Sequence, residues 1–467
     1  MAGICGTIHL ESGAGADDRL DAMLERLAHR GARDGRVRWG PIRFGCVDPE
    51  VAQVWPPRGS ETPHVACAVL DGRIDNAPDL AAALARHGVQ GTANHAQLLS
   101  AGFAREGSDF LARVQGSFAA AIHDPASKTT WLVRDPVGTR PLYLHRSRGR
   151  ILFASEIRAL LGDPAVRREI DPDQLRVLLA LGFNPAPHTL LKGIHKMPPG
   201  HLVRIDPSGV RSVRYDAPAP ADPDELSFDD AVEAYRATLR RVVRRCAGES
   251  TGILLSGGPD SAALLLLHRK GGGTATTYTA GFPDLQEEDD ERVSAWQAAH
   301  ALGTLHRERK VAIDEIGALF LAVARIVEEP VGASWMPPFH RLLEVPSGQV
   351  QTIWTGQGAG ALHGEGDAWR WLQVGEWVAG LPERVGGLLG GVALRFGGIR
   401  PEYAKSRLIA VRDERERILS SFFLFEESEL DRLLRPGNRG DRQTVRRGLE
   451  RWREAVEDWE PLAQGLH

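Results

Sequence analysis

The sequence predicts an α/β protein of two domains, and three observations support this. Its 467 residues exceed what one hydrophobic core usually organises. From residue 3 to about 205, short apolar runs separated by turns are typical of a layered α/β domain. From residue 228 onwards, strand and helix patterns alternate, which predicts a parallel sheet whose ligand lies at the carboxyl ends of the strands.

The first predicted domain spans residues 1–215 and is followed by a linker at 216–226, where proline and acidic residues are frequent. Cys5 falls inside an apolar first strand, so we expect a small buried side chain there. The other clear elements are strands at Val65–Leu70, Phe118–Ile122, Trp131–Val133 and Leu152–Ala154, and helices at Leu20–Ala28 and Ala77–Arg86.

The second predicted domain spans residues 227–467. Its expected helices are Phe228–Cys246, Ala262–His268, Asp290–Leu302 and Thr444–Trp459, and its strands are Gly252–Leu255, Thr276–Phe282 and Val350–Thr355. The glycine-rich stretch Gly386–Gly398 has no Lys, Ser or Asp in register. We therefore expect a connection or glycine-tolerant packing there rather than a second phosphate site.

Composition excludes several functions. A net charge of −4 argues against nucleic acid or an anionic membrane as a partner. The four cysteines are widely spaced and form no zinc-type pair, which fits reduced thiols in a cytoplasmic protein. Neither a signal peptide nor a membrane span is expected, because no uninterrupted apolar run is long enough. The expected partner is a small-molecule or peptide substrate.

The most informative segment is Leu254–Ser261, where an apolar strand ends in Ser256-Gly257-Gly258-Pro259-Asp260-Ser261. Glycines let backbone N–H groups approach an anion, and the following helix adds its N-terminal dipole. Asp260 is placed to hold Mg²⁺ against the phosphates. The loop lacks the lysine of the common P-loop. An ordinary glycine turn between strand and helix is the alternative.

These residues and others resemble the glutamine-dependent asparagine synthetases and their relatives in peptide and antibiotic biosynthesis. In the first domain, five blocks match in order: His29–Gly35, Asp71–Asn76, Arg134–Tyr143, Phe153–Ile157 and Pro198–His201. In the second, the matching blocks are the phosphate loop, Tyr278–Phe282, Glu328–Pro330 and Thr355–Gly358. The resemblance covers residues 1 to about 375.

The resemblance implies an Ntn-hydrolase-like αββα sandwich followed by an adenine nucleotide α-hydrolase-like synthetase domain that uses ATP and Mg²⁺. The metal ligand it implies is Asp260, and the acids near the reacting carboxylate are Glu328 and Glu329 together with Asp290-Glu291. The implied ATP-binding residues are Leu255, Ser256, Gly257, Gly258, Asp260, Ser261, Ala280 and Gly356.

The first domain departs from the family's glutaminase pattern. Ala2 occupies the position of the nucleophilic cysteine and has no group that could attack glutamine. Arg43 matches the arginine that grips the substrate carboxylate, but Arg73 and Asn94 replace the acids that hold its ammonium. An arginine repels an ammonium, so we expect no glutamine hydrolysis. The lasso-peptide macrolactam cyclases and β-lactam synthetases lack the cysteine too.

The second domain departs from the family at two places. Gln357 replaces a family acid, and Gly360 replaces the second magnesium aspartate. Glu365 or Asp367 is a candidate substitute. Nothing after Lys405 matches the basic segment that carries the family's active-site lysine. Either a partner completes the site or the chemistry is impaired.

Three functions remain open on the sequence. The leading one is an AMP-forming amide ligase that uses an amine of its own substrate to close a peptide or specialised-metabolite ring. The second is asparagine synthesis from free ammonia. The third is a catalytically silent partner that binds ATP or a precursor peptide beside an active homologue. Precursor peptide, leader protease and second synthetase subunit are the corresponding partners.

Overall fold

The structure is a computed structural model. It describes residues 2–10, 19–48, 54–56, 66–89, 94–147, 149–216, 226–248, 250–282, 291–360, 374–382, 385, 424–425, 427–435, 440–441 and 443–445. The chain divides into two compact units. The first comprises Met1–Leu179, Phe183–Pro223 and Glu427–His467, and the second comprises Ala180–Gly182 and Asp224–Glu426. The described residues of the C-terminal segment, which the sequence assigns to the second domain, lie with the first unit.

Two six-stranded antiparallel sheets form the centre of the first unit. In spatial order, one sheet is β10-β8-β9-β1-β3-β2 and the other is β12-β11-β7-β6-β5-β4. The strands are β1 (Gly3–His9), β2 (Arg33–Trp39), β3 (Ile42–Asp48), β4 (Val54–Trp55), β5 (Cys67–Ile74), β6 (Gly116–Asp124), β7 (Thr129–Arg134), β8 (Tyr143–Ser147), β9 (Arg150–Ala154), β10 (Ile194–Lys196), β11 (His201–Asp206) and β12 (Gly209–Arg214).

The two sheets pack face to face. Ile4 and Phe44 of the first sheet share one buried cluster with Val69 and Ala119 of the second. Phe44 meets Phe153 edge to face, with ring centroids 5.3 Å apart. Side chains of a strand alternate between its faces, so the opposite faces are free to bind helices.

Helices cover both outer faces of the sandwich. Leu20 and Leu24 of α1 and Ile157 of α5 pack against the first sheet. Leu99 and Phe103 of α3 pack against the second. The expected αββα layering is therefore confirmed. The helices are α1 (Leu20–Arg26), α2 (Ala77–Ala85), α3 (His95–Glu106), α4 (Ser108–Leu111), α5 (Ile157–Leu160) and α6 (Pro172–Leu181), with a 3₁₀ turn at Ala28–Arg30.

The second unit contains the expected parallel sheet, with strand order β15-β14-β13-β16. Its strands are β13 (Thr251–Leu254), β14 (Ala275–Gly281), β15 (Leu305–Lys310) and β16 (Thr352–Thr355). Its helices are α7 (Phe228–Cys246), α8 (Pro259–Lys270), α9 (Glu291–Ala301), α10 (Ile316–Ile326) and α11 (Met336–Leu343), with a 3₁₀ turn at Ile313–Glu315.

Helices lie on both faces of this sheet. Ile253 and Leu255 pack with Leu265 of α8 and Ala295 of α9 on one face. Leu254 and Tyr278 pack with Leu342 of α11 on the other. The chain runs outward from β13 to β15 and then returns to β16 on the opposite side of β13. The strand order therefore reverses at β13 and β16, and such switch points form ligand crevices at the carboxyl ends of strands.

The predicted elements are confirmed with small shifts at their ends, apart from α8. This helix begins at Pro259 rather than Ala262, because proline fits the first position of a helix. Asp260 and Ser261 therefore lie in a helical turn. The linker at 217–225, the stretch Gly386–Gly398 and most of Thr444–Trp459 lie outside the described residues. In the described part of the chain, no helix is long and apolar enough to cross a bilayer.

The C-terminal part of the chain contributes α12 (Glu427–Leu433) to the first unit. Arg176 of α6 is fully buried, and its Nη1 donates to Asp431 Oδ1 at 3.1 Å. One turn earlier, Asp173 Oδ1 accepts a hydrogen bond from the backbone of Asp441 at 2.6 Å. One face of α6 thus holds a segment more than 250 residues away in sequence, since Arg176 and Asp431 are separated by 255 positions.

Candidate functional site

A pocket of about 470 Å³ opens at the switch point of the parallel sheet. Loops that follow β13 and β16 border it, as the topology requires. The side that faces α8 is polar, and the side that faces α11 is apolar. The described lining residues are Leu254, Leu255, Ser256, Gly258, Asp260, Ser261, Tyr278, Thr279, Ala280, Phe282, Glu291, Trp335, Pro338, Phe339, Leu342, Thr355, Gly356 and Gln357.

Hydrogen bonds between two serines hold the loop after β13 in its turn. The hydroxyl groups of Ser256 and Ser261 lie 3.2 Å apart. Ser261 Oγ also accepts from the backbone of Ser256 at 3.3 Å, and Ser256 Oγ accepts from the backbone of Gly258 at 3.3 Å. Thr279 Oγ1 donates to the carbonyl of Leu255 and ties the loop to β14.

Two glycines of the pocket are required by geometry. Gly257 has a φ of +81°, and a Cβ there would lie 2.4 Å from Ser294 Oγ and 2.7 Å from the backbone nitrogen of Ala295. A Cβ on Gly356 would lie 2.8 Å from the backbone nitrogen of Ser261. The loop after β16 thus approaches the start of α8 so closely that only glycine fits.

The first turn of α8 borders the polar side of the pocket through Gly258, Asp260 and Ser261. Gly258 is the N-cap, and no side chain caps this end of the helix. The uncapped N–H groups and the helix dipole together favour an anion. Asp260 lies in the same turn, where its carboxylate borders the pocket.

The pocket brings together most of the residues that the sequence singled out for ATP. Seven of the eight line it: Leu255, Ser256, Gly258, Asp260, Ser261, Ala280 and Gly356. The eighth, Gly257, forms the turn beneath them. Gln357 and Glu291 also line the pocket, whereas Glu328 and Glu329 follow α10 and are not among the described lining residues.

Sequence reasoning missed the apolar wall of the pocket. Pro338, Phe339 and Leu342 come from α11 and Trp335 is its N-cap residue, all distant in sequence from the phosphate loop. Their spacing of three and four residues is that of one helix face. The pattern was visible in the sequence, but which cavity that face borders depends on the tertiary fold.

The described lining residues supply only part of a binding site for Mg²⁺. Asp260 and Glu291 are the charged residues of the described lining, and no group of three potential metal ligands occurs in the described part of the chain. Magnesium is commonly bound by one or two carboxylates plus substrate phosphates, so Asp260 fits this role. Gly360 supplies no carboxylate, and Glu365, Asp367 and Asp290 lie outside the described residues.

In the first unit, a buried polar network surrounds Ala2. Arg30 Nη1 donates to the carbonyl of Ala2 at 2.7 Å and to Asp71 Oδ2 at 3.2 Å. Arg30 also pairs with Glu156, and Ser155 Oγ donates to Asp71 at 2.7 Å. Burial raises the pKa of Asp71 above its usual value, and the charge of Arg30 opposes that shift. The groups beside Ala2 are therefore engaged with one another.

The predicted remnants of the glutamine pocket are bound locally. Arg43 lies opposite Thr7 in the pairing of β3 with β1, four positions along β1 from Gly3. Its Nη1 donates to the carbonyl of Gly40 at 2.7 Å. Arg73 Nε lies 2.7 Å from Asp75. The side chain of Asn94 accepts from the backbone of Gln97 at 2.8 Å and caps α3.

Cys5 does not replace the missing nucleophile. It lies within β1, as expected, and is fully buried. Burial, with Cys46 nearby, raises the pKa of its thiol, so the thiolate that nucleophilic attack requires is disfavoured.

Two family models match the chain, one after the other. Residues 1–216 match a family described as glutamine amidotransferase domain, and residues 234–464 match a family described as asparagine synthase. Among solved structures, the Bacillus subtilis glutamine phosphoribosylpyrophosphate amidotransferase in complex with ADP and GMP aligns over 66% of this chain and 65% of its own, with 16% identity and a TM-score of 0.34.

Curated relatives are similar over most of the chain. A putative glutamine-hydrolysing asparagine synthetase of Mycobacterium tuberculosis is 29% identical over 78% of this chain, which spans 60% of the length of that relative. Asparagine synthetase 1 of Bacillus subtilis is 24% identical over 94% of this chain and 70% of its own. Both family matches, in this order, and these relatives show that the chain belongs to the asparagine synthetase-like superfamily.

Proposed function

We propose that this protein is an ATP-dependent, AMP-forming amide ligase that takes its amine from the substrate itself, in the closure of a peptide or specialised-metabolite ring. The observation that carries the proposal is the pocket at the switch point. Seven residues expected to bind ATP converge there around an uncapped helix N-terminus. ATP is a substrate in this proposal, and Mg²⁺ is held with it by Asp260.

The reaction has two steps. A carboxylate oxygen of the substrate attacks the α-phosphorus of ATP, and pyrophosphate leaves with the electron pair of the broken P–O bond. The amine nitrogen then attacks the acyl carbon, AMP leaves, and the amine loses a proton to solvent. The N–H groups of α8 and the hydroxyl of Ser256 bind the phosphates, and Asp260 would hold a Mg²⁺ ion whose charge would offset theirs.

We expect that the first unit supplies no ammonia from glutamine. Ala2 has no nucleophilic atom, and the buried carboxylate of Asp71 is linked to its carbonyl through Arg30. Without a nucleophilic side chain at residue 2, the first step of glutamine hydrolysis has no attacking group. An amine already present in the substrate removes the need for this step.

One observation favours a second candidate, a catalytically silent partner that binds ATP or a precursor peptide beside an active homologue. At the position of the second magnesium aspartate the chain has Gly360, and the described lining offers Asp260 and Glu291 as its charged groups. Nucleotide binding tolerates this loss better than the adenylation step, which requires the charge on the phosphates to be neutralised.

Exchange of labelled pyrophosphate into ATP tests the proposal. The substrates are L-aspartate, a linear peptide with a free amino terminus and an acidic side chain, and buffer alone. We expect exchange with the peptide and none with aspartate. Exchange with aspartate would instead assign asparagine synthesis.

Calorimetry with MgATP runs in parallel. Binding without exchange for any acid would support the silent partner, and absence of binding would contradict both candidates. Gly257→Ala is a variant with a distorted loop, and it should lose exchange and binding together.

A further inference from the structure

We propose that the pocket selects a carboxylic acid whose carboxylate is attached to an apolar, ring-bearing group, and that Trp335 and Phe339 form the wall that recognises this group. The inference rests on the proposed ligase function and names the substrate class of the same site. It excludes small dicarboxylic acids such as aspartate.

The wall is part of a slot between α11 and the sheet. Leu342 packs directly on Leu254 and Tyr278 at the base of the slot. One turn towards the N-terminus of α11, Phe339 packs against the same cluster and borders the pocket. Trp335 lies one further turn towards the mouth of the pocket.

Trp335 and Phe339 form a defined aromatic corner. Their rings meet edge to face, with centroids 5.4 Å apart and an interplanar angle of 86°. This contact fixes the indole, yet its residue remains 46% exposed while bordering the cavity. A held aromatic surface open to a cavity gains free energy when an apolar group covers it.

The charges of the lining argue against a second carboxylate on the substrate. Asp260 and Glu291 are both acidic, and the lining residues that the structure describes include no lysine, arginine or histidine. The helix N-terminus and the metal position are engaged by the phosphates in the proposed reaction. A dicarboxylate would therefore add a negative charge that meets no cation among these residues, at a cost that grows as water is excluded.

The two ends of the pocket thus orient the acid. Its carboxylate points to the phosphates held at the loop after β13, where ATP is attacked, and its apolar group points to α11. This arrangement separates the reacting atoms from the group that is recognised. Replacement of the wall should therefore change the affinity for the acid and leave the affinity for ATP unchanged.

The test compares two acids that differ at one end. Succinate and 3-phenylpropionate share a two-carbon chain and one carboxylate, and the phenyl ring replaces the second carboxylate. Their affinities are measured by ligand-observed NMR on the full chain, with MgATP and without nucleotide. We expect 3-phenylpropionate to bind at least about five-fold more tightly than succinate.

Two tryptophan variants test whether the aromatic wall recognises the acid. Trp335→Ala should weaken the binding of 3-phenylpropionate by about five-fold. The affinities for succinate and MgATP should stay within about two-fold of the wild-type values. Trp296→Ala is the matched control, because Trp296 is 52% exposed and is not among the lining residues. It should behave as wild type.

Two results would overturn the proposal. One is equal or tighter binding of succinate by the wild-type protein. The other is a Trp335→Ala variant that loses MgATP affinity but keeps 3-phenylpropionate, which would assign the wall to the nucleotide base. Failure of the ligase function appears separately, as absence of pyrophosphate exchange.

Discussion

Gly257 and Gly258 are neighbours in the phosphate loop but carry different constraints. A Cβ on Gly257 collides with the first turn of α9, and its φ of +81° is unfavourable for other residues. Gly258 has a φ of −71°, and a Cβ there would meet only Ser256 Oγ, at 3.4 Å. The strand-to-helix turn therefore depends on the first glycine for its shape.

This difference makes a paired prediction. Gly257→Ala should lower the free energy of unfolding by at least about 1–2 kcal/mol, because the left-handed conformation and the contact with Ser294 both oppose a Cβ. Gly258→Ala should lower it by less than about 1 kcal/mol. Urea unfolding monitored by circular dichroism measures both. Equal losses in the two variants would contradict the loop geometry.

Asp260 should act through the metal rather than through the fold. Asp260→Asn should weaken the binding of MgATP by at least about ten-fold, since a charge-assisted contact with the ion is lost. Binding of ATP without metal should not weaken, because the carboxylate repels the phosphates. Calorimetry with and without Mg²⁺ measures this. Asp79→Asn, in the first turn of α2, is a matched control and should leave both affinities at their wild-type values.

Glutamine hydrolysis should be absent and should stay absent when a cysteine is introduced. Ala2→Cys restores a thiol, but Arg73 still occupies the position of an ammonium-binding acid and is paired with Asp75. Arg30 and Asp71 still engage the groups around residue 2. Ammonia released from glutamine, measured with a coupled dehydrogenase, should equal the buffer blank for wild type and variant. Release above the blank by either protein would contradict this.

Residues that act through local sequence were predictable, and those that act through tertiary placement were not. Ser256, Gly257 and Ser261 build one turn from contacts within six positions, so their pattern predicts their geometry. Trp335 reaches the same pocket from another helix. Arg43 matches a motif, yet its side chain caps carbonyls of its own hairpin.

Secondary-structure elements follow the same rule. Short apolar runs predicted β6, β7 and β9, because each strand packs one face on the sandwich core and the other beneath a layer of helices. The start of α8 was predicted three residues late, because Pro259 was treated as part of the loop whereas it occupies the first helical position. The order of strands in either sheet required the structure, since pairing joins β1 to β9 across many residues.

Two histidines in the strands of the sandwich, buried His123 and partly buried His195, should make its stability depend on pH. Burial is the main reason that the pKa of His123 in β6 and of His195 in β10 falls from a usual 6.5 to about 4. His188 and His145 contribute to the shift at His195, and Asp124 opposes the shift at His123. Between these values the unfolded chain binds more protons than the folded one. The free energy of unfolding should therefore fall as the pH falls from about 6.5 to about 4, by up to about 1.4 kcal/mol per pH unit for each histidine.

His195→Gln isolates one of these contributions. It should reduce the slope of stability against pH in this window and leave the slope above pH 7 unchanged, because only a neutral imidazole is present there. Urea titrations at about pH 7, 6 and 5 give the slopes. An unchanged slope between pH 6 and 5 would show that the imidazole of His195 is not held neutral by the fold.

At the scale of the whole chain, the C-terminal segment was the feature least accessible from sequence. Residues 227–467 include the phosphate loop, and continuity of the chain assigned all of them to one domain. The pairing of Arg176 with Asp431 and of Asp173 with the backbone of Asp441 places the described part of this segment in the first unit. Long-range ion pairs of this kind have no periodicity that a sequence pattern could reveal.

The ion pair between Arg176 and Asp431 leads to a prediction about the stability of the first unit. Arg176 is fully buried and Asp431 nearly so, with 16% of its side chain exposed. Asp431→Ala leaves a buried guanidinium without this carboxylate, which should lower the free energy of unfolding of the first unit by about 3 kcal/mol. Asp441→Ala keeps the backbone contact with Asp173 and loses an exposed hydrogen bond, in which the Asp441 carboxylate accepts from the backbone of Gln443 at 2.9 Å, so it should cost about 1 kcal/mol.

The double variant Arg176→Met with Asp431→Leu decides between a packing role and an ionic one. Apolar side chains of similar length remove both charges together, and buried ion pairs replaced in this way often keep or gain stability. We expect it to recover most of the loss seen in Asp431→Ala, measured by urea unfolding of the full chain. If the double variant is as unstable as the single one, the ion pair itself holds the segment. If Asp431→Ala unfolds like wild type, α12 does not depend on α6 for its position.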